Sequence, residues 1–402
     1  MGAWTNWVGN QSFPPRDVIP VVNEAQVQEQ VAKSAASGLR VRTFGTGHSF
    51  TPIVETDVLM DTAAMRGLLR VDAERLEVAA GPKTTIRDFG EPLWRHGLAL
   101  ANQGDIDTQA IAGVIATATH GSGRRLGSFS SILTGARMVD GQGNLVEVSP
   151  TANPELLPAV QTSIGLLGIM TEVTLAVVPA YELHARTDVM HFDQMIESFE
   201  SDISGYRHYG FFWMPTDASA GLYNLEGAGA DDCVVKRYRE VPVGTSREGL
   251  GLHERVGRSY EIYPMVYDPN FHEVEYFLPL PDWKEILAAM RELMLRWLPL
   301  SLYPLEIRVV GSEEAWMSPN YQRENLVVSI SGEPGKDYWP YLRACDGLFA
   351  EFGGRPHWGK IHFMTRERVA SLFPRYSDFV EVRRRLDPAG TFLNDHLGAL
   401  FA

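Results

Sequence analysis

The sequence predicts an α+β fold in two parts, and three observations carry that prediction. Its 402 residues fit two domains or one large one. The first part mixes short amphipathic helix, strand and glycine-rich turn in no fixed alternation. After Ala180 the texture shifts to aromatic strands such as Tyr209-Gly-Phe-Phe-Trp-Met214 and Val274-Glu-Tyr-Phe-Leu278.

In chain order, the first helix is read from Asn23 as N-cap, with Gln26 at the capping-box position, Val27 and Val31 on one face and Gly38 as the stop. A strand follows over 39–42, then the turn Thr43-Phe-Gly-Thr-Gly-His-Ser-Phe-Thr-Pro52, the alternating Val54, Val58 and Met60, and a strand over 76–80. Thr84 is read as the cap of a short helix with Ile86, Phe89 and Leu93 on one side, which Pro92 should kink or shorten. Residues 98–127 are small and apolar, with Asp105 and Asp107 their only acids, so the segment is expected against something buried, a cofactor being one candidate. Residues 170–178 alternate Val173, Leu175 and Val177 with Glu172 and Thr174 as a half-buried strand, and Pro179 marks a boundary. Beyond it, a helix is read from Asp282, with Glu285 completing a capping box and Ile286, Met290, Leu293 and Trp297 as the stripe. Strands over 305–310 and 326–330 follow.

Composition narrows the function classes. Lys plus Arg number 36 against 50 Asp plus Glu, a formal charge of -14, and an acidic surface repels a phosphate backbone, which argues against nucleic acid. Two cysteines, Cys233 and Cys345, indicate neither a disulfide scaffold nor a thiolate zinc site and fit a reducing compartment. No basic head with an apolar run opens the chain, and the apolar stretches fall short of the roughly 20 residues of a span. A soluble, cytoplasmic protein without membrane contact is expected. Asn10-Gln-Ser12 is read as a turn rather than a glycosylation site.

Gly45-Thr-Gly47 does not extend to a dinucleotide fingerprint, because Phe50 stands where its third glycine would fall. What remains is a loop whose backbone N–H groups can closely approach a pyrophosphate. His48 inside that turn could be a ligand, a base or a nucleophile. A second run, Ala112-Gly-Val-Ile-Ala-Thr-Ala-Thr-His-Gly-Ser-Gly123, carries hydroxyls, a histidine and glycines that core packing alone explains poorly. Glu306 and Arg308, two apart, share one face of their strand while Ile307 and Val309 face the core; by spacing alone they fit a cross-strand salt bridge as well as a site. Lys360 follows Trp358 by two, so both can face one way. His357 and His362, five apart, would point to opposite faces of a strand, and no metal is predicted.

Four segments in order, Arg42-Thr-Phe-Gly-Thr-Gly-His-Ser-Phe50, Ala116-Thr-Ala-Thr-His-Gly-Ser-Gly123, Arg355-Pro-His-Trp-Gly-Lys360 and Leu386-Asp-Pro-Ala-Gly-Thr-Phe-Leu-Asn394, resemble the aldonolactone oxidase and alditol oxidase group of the vanillyl-alcohol-oxidase-like flavoproteins. The resemblance implies that 1–178 form an FAD-binding domain of two small α/β subdomains. It implies a substrate domain over 179–370, an antiparallel sheet flanked by helices, and a segment 371–402 that returns to the FAD side. It implies that His48 is bonded covalently to the flavin, a tether that would raise the reduction potential. It further implies that Arg42, Phe44, Gly45, Thr46, Gly47, Ser49, Gly104, Asp105, Gly113, Thr117, His120, Gly121, Ile169 and His357 bind the cofactor. Glu306 and Arg308 would then contact substrate over the flavin, and Lys360 would stabilise the anionic reduced ring.

Two departures refine the expectation. After Ser318-Pro-Asn-Tyr321, Ser329 stands where alditol oxidases have a histidine, and Phe352-Gly-Gly-Arg-Pro-His-Trp358 looks more like lactone oxidases. An aldonolactone oxidised at carbon 2 is therefore expected, ahead of an alditol such as xylitol or sorbitol, a dehydrogenase with another acceptor, or a flavin-binding redox sensor. In the family a small residue near flavin C4a controls oxygen access, alanine hindering it and glycine leaving it open, and Gly104 matches that position, which favours an oxidase making hydrogen peroxide. Asp105 stands where alditol oxidases have serine. A monomer or small homo-oligomer is expected.

Overall fold

Strand Val58–Asp61 lies between Asp17–Pro20 and Val41–Thr43, parallel to both, in the computed structural model, which describes residues 2–402 other than 226, 267 and 269. Parallel strands need a crossover, and helix Glu24–Ala36 supplies it. The Asn23 side chain accepts from Gln26 N at 3.0 Å, Val27 and Val31 are buried, and Gly38 at φ +63 follows the last turn. The Gln26 side chain reaches back to Val22 N rather than to the cap residue, so the capping box is displaced by one residue.

A second sheet orders Leu145–Val148, Leu133–Val139, Ile169–Ala176, Glu77–Ala80 and Leu68–Asp72, all antiparallel. Helix Ile86–Arg95 is capped by Thr85 with Asp88, not by Thr84, whose hydroxyl bonds Gly67 and Gly81 instead. Pro92 neither ends nor shortens it. The missing N–H forgoes one intrahelical bond while buried Phe89 and Leu93 hold the turn.

The largest sheet has eight antiparallel strands in the order Glu254–Arg258, Glu182–His191, Asp232–Val241, His208–Trp213, Leu305–Val310, Asn325–Gly332, His272–Pro279 and Arg355–Pro356. One face carries Tyr209, Phe211, Ile307, Val328 and Tyr276, all buried. Helices cover it: Phe199 of Phe192–Gly205 meets Tyr209 and Phe211 edge-on, Trp283 of Trp283–Arg296 packs on Phe199, and Phe349 of Trp339–Glu351 stacks on Tyr276. Asp282 and Glu285 form no capping box. Asp282 ends a 3-10 turn at φ -92, ψ 15, away from the extended backbone from which a side chain reaches the first turn.

The other face of this sheet is polar. Strand alternation and register place Glu306 opposite Ser329, Ser329 opposite Glu275, Glu273 opposite Ser331, and Arg308 opposite Gly210. The chain's last residues return to the first sheets: Gly141 N donates to Leu386 O at 2.8 Å and Val41 N to Thr391 O at 2.9 Å. Asp387 accepts from Thr391 N and Phe392 N, and the buried Arg42 donates to Phe392 O and Ile164 O. Among the described residues no helix is long and apolar enough to cross a membrane.

Candidate active site

Glu273, Glu275, Glu306 and Arg308 on the polar face of the large sheet line a cavity of about 1730 Å³, counted with its open mouth. Its other walls are the turn at 42–50, the small-residue stretch at 105–120, and 163–170. Among the described residues, Arg42 Nε, Thr43 Oγ1, His48 Nε2 and Arg308 Nε are buried polar atoms on this cavity without a hydrogen-bond partner. Buried polar groups are normally satisfied, so four such atoms on one cavity point to the place of a ligand.

At the sheet end two cations are surrounded by four carboxylates. Arg308 Nη1 donates to Asp105 Oδ2 at 2.6 Å and Nη2 to Glu275 Oε2 at 2.9 Å, while Nε stands 3.4 Å from Glu306 Oε1. Lys360 Nζ is paired with Glu273. Glu275, almost fully buried, also accepts from Ser329 Oγ at 2.8 Å and meets His120 Nε2 at 2.6 Å. His120 Nδ1 lies 2.8 Å from the Gly121 carbonyl, so the ring is oriented from both sides.

These contacts set the ionisation of the site. Burial alone would raise Glu275, yet His120 and Arg308 hold it well below the usual carboxylate range. Burial pushes Glu306 up to about 7, against the pull of Arg308 and with the repulsion of Asp105. Burial also raises Glu273, with Lys360 opposing it. Lys360 is pulled above its ordinary value by Glu273 and Glu275 despite its burial. Glu306 thus titrates near neutrality beside a guanidinium whose Nε makes no hydrogen bond.

Lys360 also neighbours the glycine turn, its Nζ 4.9 Å from the centre of the Phe50 ring; in that turn Thr46 Oγ1 lies 2.9 Å from His48 Nδ1, and the Trp7 indole stacks on the imidazole with ring centroids 5.0 Å apart. Burial, reinforced by the Lys360 charge, pushes His48 down to about 4, so the ring is neutral at physiological pH.

The catalytic candidates Glu306, Arg308 and Lys360 come together on this cavity, and of the cofactor-binding candidates all but Gly104 and Gly121 line it. Gly104 stands behind the wall: a Cβ there would meet Ile86 Cδ1 at 3.2 Å and Phe129 Cε2 at 3.5 Å. Gly121 lets two backbones approach, because an added Cβ would lie 2.0 Å from Gln103 O. Trp358 does not share a face with Lys360. Residues 357–360 form a turn, where strand alternation does not apply, and the Trp358 indole is buried against Phe373 and Phe401 with its N–H on Met317 O at 2.6 Å. For the same reason the opposite-face argument for His357 and His362 fails. His120, Glu275 and His357 present ligand-type atoms within 4.8 Å of one another. Those groups are engaged as a hydrogen-bond hub, with His357 Nδ1 accepting from Gly359 N at 3.0 Å and Arg308 standing on Glu275. Sequence reasoning missed Trp7, Glu273 and Glu275; the period-two spacing of the last two within His272–Pro279 was the available signal.

The chain matches a family described as D-arabinono-1,4-lactone oxidase over residues 173–239 and 232–400, and an FAD binding domain over 15–149. It is 30% identical to the L-gulono-1,4-lactone dehydrogenase of Mycobacterium tuberculosis, over 98% of this chain and 97% of that protein. It is 26% identical to the L-gulonolactone oxidase of Bos taurus, over 98% and 97%, and 26% identical to an alditol oxidase of Streptomyces sp., over 98% of each. Among solved structures, cholesterol oxidase from B. sterolicum aligns with a TM-score of 0.84 over 100% of this chain and 96% of its own, at 13% identity, a likeness of fold alone.

Proposed function

The chain belongs to the D-arabinono-1,4-lactone oxidase family, and on that footing we propose that it is an FAD-dependent oxidase that takes hydride from carbon 2 of an aldonolactone of the L-gulono-1,4-lactone type, with dioxygen as acceptor and hydrogen peroxide as product. That it is an FAD-dependent oxidoreductase of lactones or alcohols follows from the family itself. In this reading 1–178 hold the cofactor, 179–370 the substrate, and 371–402 complete the cofactor wall.

The residues present fit FAD. A neutral His48 on the cavity wall suits a covalent tether, the glycine turn gives backbone access for the pyrophosphate, and the orphaned polar atoms lie along one continuous cavity. FAD, when bound, supplies the hydride acceptor.

The single observation that carries the substrate end is the pair Glu306 and Arg308. Among the described residues no hydrogen bond is donated to the Glu306 carboxyl, and Arg308 Nε, 3.4 Å from Glu306 Oε1, makes none while Asp105 and Glu275 fix its other two nitrogens. Hydride leaves a carbinol carbon more readily as its hydroxyl proton departs. Arg308 and Lys360 stabilise the developing alkoxide, and Glu306 accepts hydrogen bonds from neighbouring substrate hydroxyls.

Acid precipitation of the purified protein, followed by peroxide assays with L-gulonolactone and xylitol, tests the reading. A yellow pellet, abolished by His48→Ala, and peroxide from the lactone are expected. Peroxide from xylitol alone would make it an alditol oxidase. Lactone-dependent dye reduction without peroxide would make it a dehydrogenase, and neither flavin nor turnover would end the proposal.

A further inference from the structure

The segment that holds the His48 turn in place lies outside the matched FAD binding domain, which starts at residue 15. Strands Trp4–Thr5 and Ser12–Phe13 form an antiparallel hairpin against the turn. Trp7 N donates to Gly47 O at 2.8 Å and Asn6 Nδ2 to Ser49 O at 2.9 Å. Asn10 Nδ2 and Gln11 Nε2 each donate to Phe50 O at 3.0 Å. Carbonyls on both sides of His48 are therefore taken by residues 6–11. Gly47, at φ +73, passes close beneath the hairpin, since a Cβ there would lie 3.4 Å from Trp4 Cζ2.

These bonds fix the backbone of the turn but leave the imidazole free to rotate. Two side chains restrain it. Thr46 Oγ1 holds Nδ1, and the Trp7 indole lies over the ring at 5.0 Å and 28°, itself backed edge-on by Phe271 at 6.3 Å. Thr46 is exposed, so its bond competes with water; the indole excludes water from a whole face.

We propose that Trp7 is a positioning residue for cofactor attachment: stacked on His48, it holds the imidazole in the orientation from which the ring bonds the flavin methyl group. The inference rests on the reading of His48 as the tether. The bond replaces one methyl C–H and the imidazole N–H by a C–N bond. The two electrons and two protons released pass to dioxygen, the acceptor of the proposed reaction, as hydrogen peroxide. A reaction of this kind is sensitive to the angle of approach in a way that simple binding is not. The hairpin thus governs attachment, while the turn and the 105–120 wall govern binding.

Wild-type, Trp7→Ala, Trp7→Phe and His48→Ala proteins are purified as holoenzymes, and flavin per chain is measured before and after acid precipitation. Expected are a fully retained flavin in wild type, complete release from His48→Ala, and near-native initial occupancy in Trp7→Ala with about tenfold or more less flavin in the pellet. Trp7→Phe, keeping a smaller ring, should fall between. A merely structural role would lower occupancy and tethering together, not tethering alone. A Trp7→Ala pellet as yellow as wild type overturns the proposal and leaves the His48 reading intact. Release of flavin by wild type overturns that reading, and this proposal with it. If Trp7→Ala does not fold, Trp7→Phe decides: a tethered fraction equal to wild type overturns the proposal and a deficit at equal occupancy supports it.

Discussion

Glu275 receives three donors at once from three separate stretches of chain, His120, Arg308 and Ser329. An amide in its place has one acceptor oxygen and turns N–H groups toward at least one donor. Glu275→Gln should lower kcat/KM by about 10²-fold through a displaced Arg308, with flavin content unchanged; steady-state kinetics beside a flavin-to-protein ratio checks this, and an unaffected kcat/KM would free Arg308 from Glu275. Glu306 gives a pH signature. Its folded carboxyl titrates at about 7 because it is buried, above its range in the unfolded chain, so the folded state holds the extra proton and stability falls as pH rises between the two values. Urea titrations at pH 5 and pH 8 should show that fall in wild type and a smaller one in Glu306→Gln; equal slopes would mean that Glu306 is ionised throughout. The Glu306 and Arg308 pair was legible in the sequence because strand alternation is strictly periodic. The bond of Arg308 to Asp105, from a distant loop, leaves no periodic trace.

Among the elements, those with strong local signals were legible. Asn23 with Val27 and Val31, and the strand Leu305–Val310, stand where capping and alternation put them. The failures fall where a local rule meets a tertiary constraint: Pro92 is carried inside a helix by buried neighbours, and Trp358 is turned into the core by a turn mistaken for a strand. The His-Gly turn gives a test at this scale. Gly121→Ala would force a methyl against the Gln103 carbonyl, costing roughly 1–3 kcal/mol and displacing His120. Gly113→Ala, whose added carbon meets no protein atom within 4 Å, should keep its thermal midpoint while retaining less flavin, because it stands on the cavity wall. Thermal melts and flavin retention on both variants distinguish the roles, and equal melts would remove the steric account of Gly121.

For the whole molecule, the order of the motifs made the cofactor segment and the returning C-terminus legible, but not how closely they interlock. The loop at 387–392 is held by Asp387, which accepts from Thr391 N at 2.7 Å and Phe392 N at 2.9 Å, and it presents the Phe392 carbonyl to Arg42. Asp387→Ala strands two buried N–H groups at roughly 1–3 kcal/mol each, and should weaken flavin retention although it lies outside the cavity. Thermal melts with and without added FAD check this; flavin retention unchanged in a destabilised variant would uncouple the loop from the cofactor wall. The position of that loop also orders events in time. Arg42 and its Phe392 partner stand 350 residues apart in sequence, so this part of the wall closes only once residue 392 has joined the fold. A chain cut between Gly141 and Asp387 would keep Arg42 and the glycine turn yet lack the carbonyl that Arg42 holds.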